Sequence, residues 1–291
     1  MHTLSKGNKR IWQTILITTV LVTFVCFTSH ASCPGMARYW ETILQRKGFS
    51  TDTPGKIIEA AKSESYFVRY IALRLLTDRT GKEAVATLKE ALNDPHVKVR
   101  LNAAHLLGTL GDKSGSERMK LDFAELVPRN GAPDPADPNI AEDTKALERW
   151  KKHRLYRISL ALEVAKVMAE LGDRSGYVLA AREGVENPLG ANRTRAVEVL
   201  AEIAKTDEEI LSAEGKDPVT VLCVMAESEE HFFIFRRIIT FATRLGGTRG
   251  VLILEKAKDN PHQAEKELRM TMLLLDGLKE KMKTPDNDPN N

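Results

Sequence analysis

Little in this sequence commits it to chemistry. Three cysteines, Cys26, Cys33 and Cys223, stand among 291 residues. No Cys-x-x-Cys pair and no cysteine–histidine cluster at zinc spacing occurs, which excludes a zinc module and a dense disulfide framework. Cys223 sits in an apolar run and reads as a buried free thiol. Beyond residue 31 the histidines are His96, His105, His153, His231 and His262, and none stands four residues from another on one helix. The paired-histidine metal motif is therefore missing, as are the nucleophile elbow, the Walker loop, the Gly-x-Gly-x-x-Gly fingerprint and the alternating oxygen ligands of an EF-hand. No cofactor and no metal is implied. Charge of one sign is also lacking. The formal net charge is +3, and it vanishes without residues 1–31, which carry Lys6, Lys9 and Arg10 and no acid. A nucleic-acid binder needs surplus positive charge to displace counterions, so only a local basic patch would keep that class open. Aromatics make up 6% of the chain while alanine and leucine are common, the composition of closely packed helices.

What is present begins with an address. Lys6, Lys9 and Arg10 precede an apolar run over 15–27, and Ser29-His30-Ala31 follows. This is the three-part layout of a secretory signal, expected over 1–31 with cleavage between Ala31 and Ser32. The alternative is an uncleaved anchor, but Thr18, Thr19 and Thr23 interrupt the run, which falls short of the roughly 20 residues that span a bilayer. A third possibility is a lipid on Cys33. Ala31-Ser32-Cys33 resembles the end of a bacterial lipoprotein box, with His30 where that box has leucine. The expectation is an exported, periplasmic or secreted chain that touches membrane only through the signal segment or such a lipid.

The body of the chain is patterned on residues 83–115. The spacing of Ala84, Val85, Leu88, Ala91 and Leu92 predicts an amphipathic helix over 83–92. Asn93-Asp94-Pro95 ends it, because proline lacks an amide hydrogen and turns its predecessor away from helical angles. A second helix is predicted over 97–110 from Val97, Leu101, Ala104, Leu106, Leu107 and Leu110. The turn Asp78-Arg79-Thr80-Gly81 recurs as Asp112-Lys113-Ser114-Gly115 and Asp173-Arg174-Ser175-Gly176, at separations of 34 and 61 residues. The other turn recurs as Asn187-Pro188 and Asn260-Pro261. Two alternating turn types between amphipathic helices point to stacked repeats. Residues 32–52 form a capping segment and 53–283 a solenoid of about six helix pairs. The runs 219–225 and 251–254 have strand propensity, but their register is helical. An insertion over 127–144 carries four prolines and reads as an exposed loop, and 284–291 reads as a disordered tail.

Ala84-Val85, Leu88, Ala91-Leu92, Asp94-Pro95, Val99-Arg100, Ala103-Ala104, Leu107-Gly108 and Leu110-Gly111-Asp112 together resemble HEAT-like repeats of the phycobilisome-lyase type. That resemblance implies an all-α solenoid of bacterial type and a surface for macromolecules. It does not transfer an activity, because such repeats serve many functions.

The expected function is therefore a scaffold or adaptor that binds a protein or peptide in the cell envelope without catalysis. The alternative is a lyase-like or hydrolytic enzyme acting on a ligand in the concave groove, with a site assembled from scattered residues. Arg69, Arg100, Arg195 and Arg236, with Arg157 at a comparable place, form a row near the starts of second helices. They read as local partners of turn carboxylates such as Asp94 rather than as a ligand site. The Asp-to-Gly turns read as helix connections rather than phosphate or metal loops. The binding candidates are Trp150, Lys151 and Arg154, where an aromatic and a basic cluster leave the insertion.

Overall fold

The computed structural model describes residues 34–127, 144–206 and 217–283. The signal segment 1–31, the processing residues Ala31, Ser32 and Cys33, the insertion apart from its two end residues, and the tail 284–291 lie outside the described residues. The fold is all-α, with no strand among the described residues. Two compact units meet between Gly115 and Ser116 in sequence.

The first unit runs α1 (Pro34–Arg46), α2 (Pro54–Ala60), α3 (Tyr66–Thr80), a 3-10 turn (Gly81–Ala84), α4 (Val85–Ala91) and α5 (Val97–Thr109). Helix α2 starts where Thr53 accepts a hydrogen bond from the Lys56 amide and Pro54 takes the first helical position. The second helices stack on each other, α3 against α5, while α1 and α2 pack on α3 and α4 on α5. Val68, Ile71, Ala72, Leu75 and Leu76 of α3 and Val99, Ala103, Ala104 and Leu107 of α5 are buried between them.

The second unit holds α6 (Ser116–Leu126), α7 (Thr144–Glu170), α8 (Tyr177–Glu186), α9 (Gly190–Thr206), α10 (Pro218–Ser228), α11 (Phe232–Leu245), α12 (Gly247–Ala257) and α13 (Glu265–Lys283). These pair as α6/α7, α8/α9, α10/α11 and α12/α13. One layer stacks α7, α9 and α11, and the other stacks α8, α10 and α12. Each unit is thus a stack of helix pairs. The runs with strand propensity, 219–225 and 251–254, are helical within α10 and α12, where Val221, Leu222, Ile253 and Leu254 join one buried cluster.

One turn differs from its expected form. Gly111 and Gly172 take positive φ of 82° and 91°, and the amides of Asp112 and Asp173 donate back to the carbonyls of Leu107 and Met168, which closes α5 and α7 as Schellman motifs. Thr77 stands at the equivalent place before Asp78. With no glycine there, α3 continues through Asp78, Arg79 and Thr80 and stops only at Gly81, at φ 55°. The third copy of the motif is therefore helix, and the short 3-10 turn follows it.

Candidate functional site

The intra-repeat turns share one geometry. Asp94, Asn187, Glu229 and Asn260 each accept, through a side-chain oxygen, the backbone amide two residues on, from His96, Leu189, His231 and His262, at 2.8 Å in every case. The Glu229–His231 contact is of this kind, to the histidine amide and not to its ring.

Arginines from the preceding pair hold two of these turns. Arg69 donates through Nε and Nη2 to Asp94 at 2.6 and 2.7 Å, and through Nη1 to the Ser63 and Glu64 carbonyls at 2.8 Å. Arg193 donates through Nε and Nη2 to Glu229 at 3.1 Å each and through Nη1 to the Asn187 carbonyl at 2.8 Å. Arg100 donates to the Asp94 and Pro95 carbonyls at 2.7 and 3.1 Å. All three occupy the fourth residue of their helix, one turn in, from which the planar forks of Arg69 and Arg193 reach both their own turn and the next.

The row expected from sequence therefore splits. Arg193, two residues before Arg195, holds the repeat position, while Arg195 pairs with Glu163. Arg236 lies over the Phe232 ring at 5.4 Å, and Arg157 donates to the Glu125 carbonyl at 2.5 Å. Counting from each helix start rather than from the nearest hydrophobic motif would have found Arg193.

His96 and His262 are not equally placed. His262 is exposed, but His96 is half-buried, stacked on Tyr66 with centroids 3.8 Å apart, and its Nδ1 accepts the Lys98 amide. Burial pushes the His96 imidazole below its ordinary 6.5, with Asp94 opposing and Arg69, Lys98 and Arg100 reinforcing. Burial also pushes the Asp94 carboxyl up, but hydrogen bonds from Arg69 and the His96 amide, with the charges of Arg69 and His96, hold it below its ordinary 3.8.

Both shifts are downward, so each group contributes stability that is complete above its ordinary value and lost as pH falls through the folded one. His96 acts first, below pH 6.5, because the protonated Nδ1 no longer accepts a hydrogen bond. Asp94 follows below 3.8. Thermal unfolding of the full chain is expected to show a loss below pH 6.5 that His96→Gln reduces, with the loss below 3.8 retained. An identical pH profile for the variant would show that His96 carries none of it.

The Asp-to-Gly turns at Asp112 and Asp173 are helix connections, whereas Asp78, Arg79 and Thr80 belong to α3. Asp112 accepts the Ser114 amide at 2.8 Å, and Asp173 accepts the Ser175 amide and hydroxyl at 2.8 and 2.6 Å. Hydrogen bonds from Ser114 and Lys89 bring the Asp112 carboxyl down to about 2. No group of three or more His, Cys, Asp or Glu residues placed to hold a metal ion occurs among the described residues. Cys223 is half-buried and free, and burial raises its thiol to about 11, far from nucleophilic readiness.

Trp150 and Lys151 lie on α7, with side chains outside the described residues. Further along the same helix Lys152, His153, Arg154, Tyr156 and Arg157 are exposed, and Ile158 opens the buried stretch that continues through Ala161, Leu162 and Ala165. Residues 152–157 of α7 thus carry exposed basic side chains and Tyr156 ahead of its core-forming part. No helix among the described residues is long and apolar enough to cross a membrane.

Comparison with known proteins agrees with this architecture. Residues 55–120 match the family model of HEAT repeats, repeats that commonly mediate protein–protein interaction. No curated protein matches the chain. The matched stretch begins in α2 and ends in α6, and the same pairing of helices continues through α13. Residues 55–120 are thus similar to HEAT repeats, and helix pairs stack in the same way through the second unit.

Proposed function

We propose that this protein is an exported scaffold or adaptor that binds a protein or peptide partner in the cell envelope, with Trp150, Lys151 and Arg154 in its binding surface. The observation that carries the reading is the exposed stretch of α7 in which Lys152, His153, Arg154 and Tyr156 follow one another, a few residues after the proline-rich insertion in sequence. Aromatic and arginine side chains supply most interface hot spots, and basic neighbours favour an acidic partner segment. The turn-edge arginines are a poorer surface, because Arg69 and Arg193 spend their forks on Asp94 and Glu229. The export part rests on the signal-like layout over 1–31. The repeat type is the phycobilisome-lyase one by the residues of α4 and α5, used here for binding.

The test is in-cell crosslinking of the full-length chain in a bacterium with an envelope, followed by fractionation, mass spectrometry and N-terminal reading. The expected result is a Ser32 start in the envelope fraction with one protein partner in stoichiometric yield. Combining Trp150→Ala, Lys151→Glu and Arg154→Glu is expected to weaken that complex at least about thirtyfold. Recovery in the cytosol with Met1 intact would remove the export claim. Correct export with no protein partner would overturn the scaffold reading.

A further inference from the structure

Helix α13 (Glu265–Lys283) buries one side and exposes the opposite one. Thr271, Leu275 and Leu278 are buried, and the helix packs on α11 and α12. At three- and four-residue spacing on the far side stand Lys266, Arg269, Met270, Leu273, Gly277 and Glu280. Leu273 is 69% exposed and Met270 52%. Apart from the helix's own backbone, no atom lies within 4 Å of where a side chain on Gly277 would begin. Glu265, Lys266, Arg269, Met270 and Leu273 line a hollow here.

The charges on this face are ordered. Lys266 and Arg269 precede Leu273, and Asp276 and Glu280 follow it. The terminal turns add Glu265 and Glu267 at the start and Lys281 and Lys283 at the end, as the helix dipole favours, so the charge order is mixed along the helix. It is, however, complementary to itself when turned around.

We propose that this face seats a second copy of the same chain, the two α13 helices lying antiparallel about a two-fold axis at Leu273. In that register Leu273 meets the partner's Leu273. Lys266 faces the partner's Glu280, and Glu265 faces the partner's Lys281. Arg269 exchanges its exposed intrahelical pair with Glu265 for the partner's Asp276, its stem crossing the open space over the partner's Gly277. A two-fold axis makes every such pair twice, as an isologous interface requires. The parallel arrangement sets Lys266 against Lys266 and Glu280 against Glu280, which repels. Nineteen helical residues span about 28 Å, so the interface is at the small end of specific contacts and is sensitive to salt.

Sedimentation equilibrium of the full chain over a concentration series reaching about 0.1 mM tests this. The expected result is a monomer–dimer equilibrium that weakens as salt rises. Leu273→Glu, at an exposed position, abolishes the dimer. Lys266→Glu and Glu280→Lys each weaken it about tenfold, and combining the two restores it to within about threefold. A monomer throughout, a dimer indifferent to Leu273→Glu, or a double variant no tighter than the singles would each overturn the proposal. The charge swap decides the matter even if Leu273→Glu were to disturb the fold.

Discussion

Gly250→Ala is expected to destabilise the second unit by about 2–3 kcal/mol, although alanine is the better helix former. Gly250 lies in α12 where it crosses α11. A side-chain carbon added there would come 2.3 Å from the Ala242 carbonyl oxygen and 3.3 Å from its carbon. Ordinary carbon–oxygen approach is about 3.3–3.6 Å, so the helices would have to part by about 1 Å. Both obstructing atoms are backbone, and the oxygen already accepts the Gly246 amide, so no rotamer change relieves the clash. Parting α12 from α11 also loosens Ile253 and Leu254 from Ile238 and Ile239 in the same buried cluster. The helix propensity gained by alanine, about 1 kcal/mol, offsets only part of this. The control is Gly277→Ala. It is also mid-helix but has open space around it, and it is expected to raise stability by about 0.5–1 kcal/mol. Urea denaturation in dilute solution, followed by circular dichroism, compares the two. Equal effects would show that the crossing relaxes freely.

That crossing shows where sequence reasoning succeeded and where it stopped. Helix pairs, their two turn types and the all-α class were readable, because periodicity and turn residues are local signals. The conformation of a single turn was less so. Asp78-Arg79-Thr80-Gly81 looks like its two counterparts, but the residue that closes a helix stands before the aspartate, and here it is Thr77 where the others have Gly111 and Gly172. The glycines after the aspartates serve a different end. A side chain on Gly176 would fall 2.5 Å from the Ala165 Cβ, a contact between elements that no local pattern announces. Arg193 was missed for Arg195 because hydrophobic motifs fix a helix face less sharply than its start does. His96 follows a turn proline just as exposed His262 does, but Tyr66, 30 residues earlier in the chain, covers it. The binding surface proposed at Trp150 rests on composition.

Glu229→Ala is expected to cost about 3 kcal/mol, with Arg193→Ala close to it. Glu229 and Arg193 keep side-chain exposures of only 5% and 15%. Removing either leaves the other as a nearly buried charge without its bidentate partner, which is the costly way to break an ion pair. Glu229 also joins three helix pairs. Its carboxylate takes the Arg193 fork from α9 and the His231 amide at the start of α11. Its carbonyl accepts Asn260 at 3.2 Å and Gln263 at 2.6 Å from the turn before α13. Loss of the carboxylate frees the α10–α11 turn, and that turn then holds the next one less firmly. A double-mutant cycle separates the pair from its surroundings. With both side chains removed no charge is stranded, so the double variant is expected to be less destabilised than the sum of the singles by about 1–3 kcal/mol. Arg193→Lys should recover little, since a single ammonium cannot reach both carboxylate oxygens and the Asn187 carbonyl as the planar fork does. The more exposed Arg195–Glu163 pair, at 33% and 27%, is the internal reference and is expected to contribute under about 1 kcal/mol. If the two cycles give the same coupling, burial at Glu229 does not set its strength. A turn acid gripped by the preceding repeat would then be no stronger a fastening than an ordinary surface pair.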